Sequence, residues 1–583
     1  MTASARARFA PRAVEVGYRA DGAIVLRSPI PLDGCERHIC AYLERWAAEA
    51  PVRTFLAQRD HTGGWRHLSY AEGWARARGL AQALLDRGLG PDRPLAILTG
   101  NSIEHALMSF GAMIAGVPVA PISPAYSASA GGRRRLAEVV AILRPAMIFA
   151  QAAAALGDVR AMPELAGIPW ITAEPADDAE RLADVERVAG HADADRAYAA
   201  ATTATVAKIL FTSGSTGAPK GVPNTQGMLC SAIRAAGLVF PVDAPPVTVD
   251  WMPWHHTLGG NSTLHSILRD GGTMYIDGGR PMPGLFGETV RNLTEIATTV
   301  VQNVPVGFQM LVAAMEADDA LRTRFFERVE RIAFAGASLT GATFDRMQAL
   351  AMRTIGEPVA FIAGYGTTET GPGISSTHWP SEGKGEIGLP FPGCEVKLVP
   401  FDDRYEIRVR GPNVFPGYLA RPDLTNQAFD DEGFYAVGDA VQFFEPRDPR
   451  QGLRFAGRLS ENFKLSNGSW VLTGELRAAV LAAVPDLAEL VVAGHDRDDV
   501  RLLVWATGKG DPEQVQAAIA RDLAAYNAAN PGATRRIAGF LLADTPPSMA
   551  DGELTDKGYV NQRAVLANRA ASIARLYGED ATG

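Results

Sequence analysis

The chain has few of the features that mark secreted, membrane-spanning or metal-finger proteins. Its 583 residues include four cysteines, too few for a disulfide framework, and no cysteine pair has zinc-site spacing. The sequence contains no run of about 18 uncharged apolar residues that could span a bilayer. The basic N-terminal residues lead into no apolar segment of signal-peptide length. We therefore expect reduced thiols, no membrane span and a cytoplasmic location.

An excess of positive charge is also missing. With 56 Lys and Arg against 65 Asp and Glu, the formal net charge is −9, so nucleic acid would be repelled on average. Apolar residues make up 47% and charged residues 21%, which is typical of a globular protein rather than a disordered one. The length exceeds what one hydrophobic core usually organises, so two or more domains are expected.

The order of apolar and polar segments indicates alternating helices and strands. Ser69 and Glu72 form a capping-box pattern that opens a helix. A short buried strand follows at 94–98, and a second helix over 102–115 leads to another strand. This order predicts an α/β fold whose mostly parallel sheets are covered by helices. After residue 386, short strands between Gly and Pro turns predict a β-rich subdomain.

We place the main domain boundary near residues 458–460. Residues 1–457 would form a large domain, with the β-rich subdomain over 386–457. Residues 458–583 would form a small α+β domain that contains an amphipathic helix over 511–526. The change from long helix–strand units to a compact α+β segment marks this boundary.

The most informative segment is a loop rich in hydroxyl groups and glycine that follows the apolar run 207–211. Glycines let successive backbone N–H groups face one point, hydroxyl groups add donors, and a final lysine adds positive charge. Such a loop can enclose a polyphosphate, although its spacing differs from that of the P-loop. The candidate phosphate-binding residues are Thr212, Ser213, Gly214, Ser215, Thr216, Gly217 and Lys220.

Three further motifs follow in order along the chain. The first, GYGTTE at 364–369, comes after a buried strand and combines an aromatic ring with a carboxylate. An aromatic face can stack on a base, and carboxylate oxygens suit a hard cation that bridges phosphates. The second is YAVGD at 435–439, followed by Gly457-Arg458, and the third is GELTDK at 552–557. Together these groups indicate a nucleotide site.

The four motifs, in this order, resemble the signatures of the adenylate-forming superfamily. This superfamily includes acyl-CoA synthetases, aryl-CoA ligases, luciferases and peptide-synthetase adenylation domains. The resemblance covers about residues 40–565. It implies a large N-terminal domain, a small mobile C-terminal domain, and ATP, Mg²⁺ and coenzyme A as ligands.

The resemblance also implies roles for residues around the phosphates. Lys220 would steady the departing pyrophosphate, and Lys557 would be a catalytic lysine that bridges the substrate carboxylate and the nucleotide. Thr368 would bond to the α-phosphate. Glu369 would help to hold Mg²⁺. These residues would act by positioning and charge neutralisation.

For the nucleoside, the resemblance implies that Tyr365 stacks on adenine, Asp439 accepts both ribose hydroxyls and Arg458 contacts ribose or phosphate. Two departures affect the hinge region. Ser460 stands where the family usually has a hinge Asp or Lys, and the segment 464–468 is closer to long-chain synthetases than to plant-type aryl ligases. The other implied nucleotide contacts are Gly336, Ala337, Ser338, Gly364, Gly366, Thr367 and Lys464.

The acid pocket is predicted around the segment 250–261, which is dense in aromatic and imidazole groups. His256 occupies the place of the family's histidine at the pocket mouth, whereas Trp251 and Trp254 fit a core or a pocket equally well. The segments at 304–308, 334–338 and 371–374 look like those of bacterial feruloyl-CoA synthetases. The candidate pocket residues are His256, Val306, Gly307, Phe308, Gly336, Gly364, Gly371 and Gly373.

The resulting hypothesis is an ATP-dependent acid–CoA ligase that activates an aromatic acid, such as ferulate, as its acyl-AMP. Its partners would be the acid, ATP and CoA, without nucleic acid, in a monomer or homodimer. Three alternatives stay open: a medium- or long-chain fatty acyl-CoA synthetase, an adenylation enzyme that loads a carrier protein, and an inactive nucleotide-binding regulator.

Overall fold

The chain folds as an α/β protein in which most helices cover sheets, and this confirms the predicted fold class. The structure is a computed structural model. Among the residues that it describes, no helix combines the length and the apolar character needed to cross a bilayer. The described residues are 6–152, 154–188, 190–212, 218–282, 284–334, 339, 341–381, 385–507, 511–548, 551–554 and 560–579.

The strands form several sheets and are numbered here in chain order. The first thirteen are β1 (Glu15–Tyr18), β2 (Ile24–Arg27), β3 (Thr54–Arg59), β4 (Trp65–Ser69), β5 (Leu95–Ile97), β6 (Val119–Pro121), β7 (Met147–Ala150), β8 (Trp170–Thr172), β9 (Glu180–Arg181), β10 (Val206–Thr212), β11 (Lys220–Thr225), β12 (Val247–Asp250) and β13 (Thr273–Ile276). The next nine are β14 (Val300–Asn303), β15 (Arg331–Phe334), β16 (Ala360–Tyr365), β17 (Ser375–Ser376), β18 (Glu386–Pro390), β19 (Glu395–Phe401), β20 (Arg404–Arg410), β21 (Tyr435–Phe443) and β22 (Leu453–Arg458). The last five are β23 (Phe463–Lys464), β24 (Trp470–Val471), β25 (Leu487–Ala493), β26 (Val500–Ala506) and β27 (Ile537–Leu542).

The α-helices are numbered in the same way. Those before residue 300 are α1 (Cys40–Glu49), α2 (Tyr70–Asp86), α3 (Ile103–Ile114), α4 (Ala125–Ala128), α5 (Ala130–Leu143), α6 (Gly157–Arg160), α7 (Leu182–Val185), α8 (Ala192–Ala200), α9 (Gln226–Val239), α10 (Leu264–Arg269) and α11 (Phe286–Glu295). The later ones are α12 (Pro305–Ala317), α13 (Asp319–Arg328), α14 (Gly341–Ile355), α15 (Pro422–Ala428), α16 (Thr473–Ala483), α17 (Pro512–Ala529), α18 (Gln562–Asn568) and α19 (Ala570–Leu576).

One sheet carries the ends of the candidate phosphate loop. Its strand order is β11-β10-β6-β5-β7-β8-β9, and the pairs from β10 to β9 are parallel. Helices α2 and α3 pack on each other and share a core with this sheet. The capping box predicted for α2 is present, because Ser69 and Glu72 bond each other's backbone N–H groups. β10 and β11 are antiparallel and pair Thr212 with Lys220, so the two ends of the loop lie together.

The largest sheet joins parallel and antiparallel strands. Its parallel part, β14-β15-β16, continues through the short strands β17 and β18 into the antiparallel strands β22, β21, β20 and β19, with β2 and β1 beyond them. The short strands predicted after residue 386 are present, but they extend the same sheet rather than forming a separate one. The ends of β16 and β21 therefore belong to one surface.

The part of the chain after Arg458 has a core of its own. The strands β25, β26 and β27 pair in this order, and α16 and α17 pack beside them around a separate apolar cluster. β22 ends at Arg458 and β23 begins at Phe463, so the connection between the two parts is short. Gly457 has a φ of +98°, a backbone conformation that favours glycine.

Candidate active site

The residues predicted to carry chemistry gather around one large cleft. The cleft is formed where several strands end, which is where ligands bind in open α/β sheets. Segments that follow Arg458 line its opposite side, including residues near 545 and 560. The described residues that were predicted from the sequence and that line this cleft are Thr212, Lys220, His256, Val306, Gly364, Tyr365, Gly366, Thr367, Thr368, Glu369, Gly373, Asp439, Arg458 and Ser460.

A buried aspartate joins two of the predicted nucleoside contacts. The Tyr365 hydroxyl donates to Asp439 Oδ2 at 2.7 Å, and Arg458 Nε donates to Asp439 Oδ1 at 3.2 Å. Asp439 is 2% exposed. Burial and then the Asp439 charge raise the pKa of Tyr365 well above its ordinary value, and Asp439 is the main cause of the raised pKa of Arg458. The tyrosine and the arginine are therefore held in fixed positions in their ordinary protonation states.

A second cluster lies where phosphate groups are expected. The Tyr418 hydroxyl donates to Glu369 Oε1 at 3.1 Å, and Lys220 Nζ lies 5.2 Å from the centroid of the Tyr418 ring. Burial and the neighbouring Glu369 raise the pKa of Tyr418. Tyr418 was not among the residues predicted from the sequence. It follows Gly417, whose φ of +143° favours glycine, and it lines the cleft.

The backbone around Thr368 is shaped by one close approach. A Cβ at Gly366 would lie 1.6 Å from the carbonyl oxygen of Pro372, so only glycine fits there. Thr367 and Thr370 exchange capping hydrogen bonds at the short 3₁₀ helix Thr368–Thr370. This turn places Thr368 and Glu369 side by side on the wall of the cleft.

The acid side of the cleft is lined by imidazole, aromatic and small residues. The ring centroids of His255 and His256 lie 4.4 Å apart, and both residues line the cleft. The structure decides between the two tryptophans. Trp251 lines the cleft and donates through Nε1 to Asn303 Oδ1 at 3.2 Å, whereas Trp254 belongs to the core.

The strands β14 and β15 have one face toward the core and one toward the cleft. Val301 and Ile332 pack in the core. The alternate positions, Val300, Gln302 and Ala333, are less buried and line the cleft, and Val301 also reaches its lining. This row of side chains extends the cleft away from the nucleotide motifs along the sheet.

Four described residues that were predicted for the site are absent from the lining of the cleft. Phe308 is fully buried and packs near Phe361, because the α12 residues that line the cleft are Pro305, Val306 and Gln309. Gly307 faces Asn303 instead.

The other two of these residues lie in a loop and in a hairpin. Gly371 lies behind the cleft wall, where a Cβ would contact Asn413 O and Met228. Lys464 is exposed in the β23–β24 hairpin, with its Nζ 5.0 Å from the centroid of the Trp470 ring, and it is absent from the described lining of the cleft. The one-dimensional order of these residues could not reveal which way each of them faces.

Several predicted residues lie outside the described part of the chain, and their predicted roles stay predictions. They are Ser213, Gly214, Ser215, Thr216, Gly217, Gly336, Ala337, Ser338 and Lys557.

The family to which the chain belongs follows from comparison with known proteins. The model of the AMP-binding enzyme family matches residues 43–419. This chain therefore belongs to the AMP-binding enzyme family, in agreement with a cleft that joins an aromatic ring, a buried aspartate and a phosphate-side lysine.

Two curated relatives and one solved structure show what this chain is similar to. The carboxylic acid reductase of Mycobacterium tuberculosis is 27% identical over 73% of this chain and 39% of its own length. The 3-[(3aS,4S,7aS)-7a-methyl-1,5-dioxo-octahydro-1H-inden-4-yl]propanoyl:CoA ligase of the same organism is 28% identical over 79% of this chain and 86% of its own length. The anthranilate CoA ligase AuaEII in complex with anthranoyl-AMP is similar in fold, with a TM-score of 0.73, 18% identity and coverage of 94% of this chain and 99% of that one.

Proposed function

We propose that this protein joins a carboxylic acid to AMP with ATP and then transfers the acyl group to coenzyme A. The observation that carries the proposal is the arrangement of two linked clusters in one cleft. Tyr365, Asp439 and Arg458 form a nucleoside subsite, and Lys220 and Glu369 form a phosphate subsite beside it. The acid pocket opens from the same cleft.

The chemistry requires activation because a carboxylate is a poor acyl donor. In the first step the carboxylate oxygen attacks the α-phosphorus of ATP, and the bond to pyrophosphate breaks in line. Positioning and charge neutralisation govern such a step. In the second step a thiol attacks the acyl carbon of the mixed anhydride and AMP leaves. Lys220 would stabilise the pyrophosphate, and Thr368 would orient the α-phosphate.

The hydrogen-bonding groups of the nucleoside subsite suit adenosine. Each oxygen of Asp439 accepts a hydrogen bond, from Tyr365 or from Arg458, and has a further lone pair for a ribose hydroxyl. The bond from its own hydroxyl fixes the Tyr365 ring at the cleft, where it can stack on a base. Arg458 neutralises the buried carboxylate and can also reach ribose or phosphate.

Glu369 suits a magnesium ion that is held chiefly by phosphate oxygens. Its carboxylate lines the cleft, and the bond from Tyr418 orients it. Within the described ranges no group of three or more His, Cys, Asp or Glu could form a full metal cage. Mg²⁺ commonly binds through one or two carboxylates together with substrate phosphates and water, so one acidic residue is enough. The ion would neutralise charge on the phosphates.

The acid is proposed to be aromatic, with ferulate as the test compound. Gly364 has open space where a Cβ would lie, and Gly373 lines the same cleft, so a flat ring has room. The relation to a structure that holds anthranoyl-AMP supports this class. A fatty acid is the second candidate, because the row formed by Val300 and Ala333 lengthens the cleft along the sheet.

Lys557 and the small domain would separate the two steps. By the family resemblance, Lys557 bridges carboxylate and nucleotide in the first step, and a rotation near Ser460 then admits the thiol. Ser460 lines the cleft in the short connection between β22 and β23. A carrier protein is the alternative acceptor, since a structure similar in fold contains an adenylation domain followed by a PCP carrier domain, the A-PCP didomain of a carboxylic acid reductase.

The test is exchange of labelled pyrophosphate into ATP with ferulate, benzoate, octanoate and palmitate offered one at a time with Mg²⁺. Exchange that depends on an added acid supports the proposal, and the preferred acid identifies the class. Adding CoA should then give the acyl thioester and AMP. Lack of exchange with every acid would overturn the proposal, and exchange without CoA turnover would favour the carrier alternative.

A further inference from the structure

Lys208 is a buried lysine that the proposed chemistry does not use. It lies in β10, the strand that ends at Thr212, and it is 3% exposed. In the part of the chain that the structure describes, its ammonium group has no carboxylate within ion-pair distance. Burial lowers the pKa of Lys208 to about 7. A buried charge without a counter-ion is costly, so the contacts of this side chain need an explanation.

All three contacts of Lys208 are made with one tight helical segment. Its Nζ lies 2.9 Å from Gly260 O, 3.3 Å from Asn261 Oδ1 and 3.3 Å from His265 Nε2. Gly260 and Asn261 belong to the π-helical turn Leu258–Thr263, and π turns are rare and concentrate at functional sites. Lys208 thus donates to a backbone carbonyl that lies inside this turn.

The π-helical turn forms the back of the acid pocket. It follows His255 and His256 directly, and Gly260 N–H donates to His256 O at 2.8 Å. A Cβ at Gly260 would lie 2.2 Å from the carbonyl oxygen of Trp254, so the turn is pressed against the preceding segment. Thr257 and Leu258 line the cleft. A shift of the turn would therefore move the pocket wall.

The same turn is connected to the phosphate side by a chain of hydrogen bonds. Asn261 Nδ2 donates to Asn224 Oδ1 at 2.7 Å and to Thr257 Oγ1 at 3.1 Å. Asn224 Nδ2 lies 3.5 Å from the carbonyl oxygen of Thr368. Asn224 and Asn261 are fully buried. Lys208 is therefore the anchor of a buried polar network that reaches from the pocket wall to the residue proposed for the α-phosphate.

We propose that Lys208 is a positioning residue that holds the acid pocket in register with the α-phosphate site. It acts through Gly260 and Asn261 and touches neither substrate. The inference rests on the proposed function, because the register matters for attack of a carboxylate on ATP. Small displacements of a reacting group are costly in such a step.

His265 allows this anchor to persist when the lysine loses its proton. As an ammonium, Lys208 has three N–H donors for its three contacts; as an amine, it has two and can accept a bond from His265 Nε2–H. His265 Nδ1 is buried and without a hydrogen-bond partner within the described residues. A bare acceptor nitrogen is less costly there than an unpartnered N–H donor, which favours the Nε2–H tautomer.

The test compares Lys208→Met with a matched loss of another buried lysine, Lys397→Met. Lys397 is 5% exposed and pairs with Asp430 and Glu432, away from the pocket wall. Both variants should lower the melting temperature. Only Lys208→Met should raise the KM for the acid and lower kcat, so that kcat/KM for the acid falls at least about tenfold, with the Kd for ATP changed less than about threefold.

A second variant keeps the inference testable if Lys208→Met does not fold. Asn261→Leu removes the connection to Asn224 with little change in volume and should lower kcat/KM for the acid in the same direction. Lys208→Gln retains two N–H donors, so its kcat/KM for the acid should lie between those of the native protein and Lys208→Met. Native activity with unchanged acid kinetics in these variants would overturn this inference alone. Absence of acid-dependent exchange in the native enzyme would overturn the proposed function and this inference with it.

Discussion

The nucleotide side and the acid side of the cleft are built on different principles. The nucleotide side uses charged groups that bond one another, as Tyr365 and Arg458 do with Asp439. The acid side uses small and apolar positions on β14, β15 and α12, backed by the buried Lys208 network. A ligand that is the same in every relative needs fixed partners, whereas a variable acid needs a cavity of adjustable shape.

Lys557, the lysine proposed to be catalytic, should affect one half-reaction only. Lys557→Ala should lower the rate of adenylation by about 10³-fold, because one charge that stabilises the transition state is removed. Thioester formation from supplied acyl-adenylate should be nearly unchanged. Both rates are measured by single-turnover assays, and Arg521→Ala, at an exposed cation of the same small domain outside the described cleft lining, is the control. Equal loss of both half-reactions would refute the assigned role.

Changes in the nucleoside subsite should affect the Kd for ATP and leave the KM for the acid unchanged. Asp439→Asn replaces the charged acceptor proposed for the ribose hydroxyls and should weaken ATP binding by about 10- to 100-fold, since a hydrogen bond to a charged group contributes about 1.5–3 kcal/mol. Calorimetry measures the Kd for ATP. Asp448→Asn, at a surface ion pair, is the control. A parallel rise in the KM for the acid would contradict the separation of the two sides.

On the acid side, kcat/KM should depend on the space left for the acyl group. A Cβ added at Gly364 would have nothing within 4 Å, so Gly364→Ala should fold normally and fill part of the cleft. For ring-bearing acids kcat/KM should fall about tenfold, the scale of one misplaced methyl group, with a smaller change for acetate. A substrate panel measures the ratio. Equal losses for all acids would show that Gly364 does not lie beside the acyl group.

Lys208 should make stability depend on pH. Its pKa is about 7 in the folded chain against 10.5 for an ordinary lysine. Between these values the unfolded chain binds more protons, so the free energy of unfolding should rise with pH by about 1 kcal/mol from pH 7 to 8. Lys208→Met should lack this rise. Denaturant unfolding at several pH values measures it, and parallel pH curves for the two proteins would contradict the prediction.

The groups that face Lys208 do not titrate in that window. They are Cys40 of α1, His105 of α3 and His265 of α10. Burial raises the pKa of Cys40 well above 9, lowers the pKa of His105 to about 3 and lowers the pKa of His265 well below its ordinary value. Differences between native and Lys208→Met therefore report on the lysine itself.

The smallest effect is expected at Tyr418. Tyr418→Phe removes one hydrogen bond to Glu369, worth about 1 kcal/mol, and keeps the ring beside Lys220. The concentration of Mg²⁺ needed for half-maximal rate should rise severalfold. Tyr405→Phe, a tyrosine that packs on Phe443, is the control. An unchanged Mg²⁺ requirement would show that Tyr418 does not orient the carboxylate.

Much of the fold was readable because local patterns agreed with the tertiary structure. The capping box at Ser69 and the alternation of helix and strand appear as predicted. The continuity of the largest sheet from β16 into β22 was not readable, because strand pairing between distant segments leaves no local pattern. Phe308 shows the same limit within one helix, where burial depends on which face meets the core.

The order of residues along the chain was enough to predict the family, which the family match confirms, and a set of candidate nucleotide contacts. Charged, aromatic and glycine residues can hold phosphates and a nucleoside only in particular local orders, and those orders are visible along the chain. Only the tertiary structure decided that Tyr418 contacts Glu369, that Val306 and not Phe308 faces the cleft, and that Lys208 anchors a π-helical turn. These contacts join segments far apart in the chain, and packing alone sets their distances and their burial.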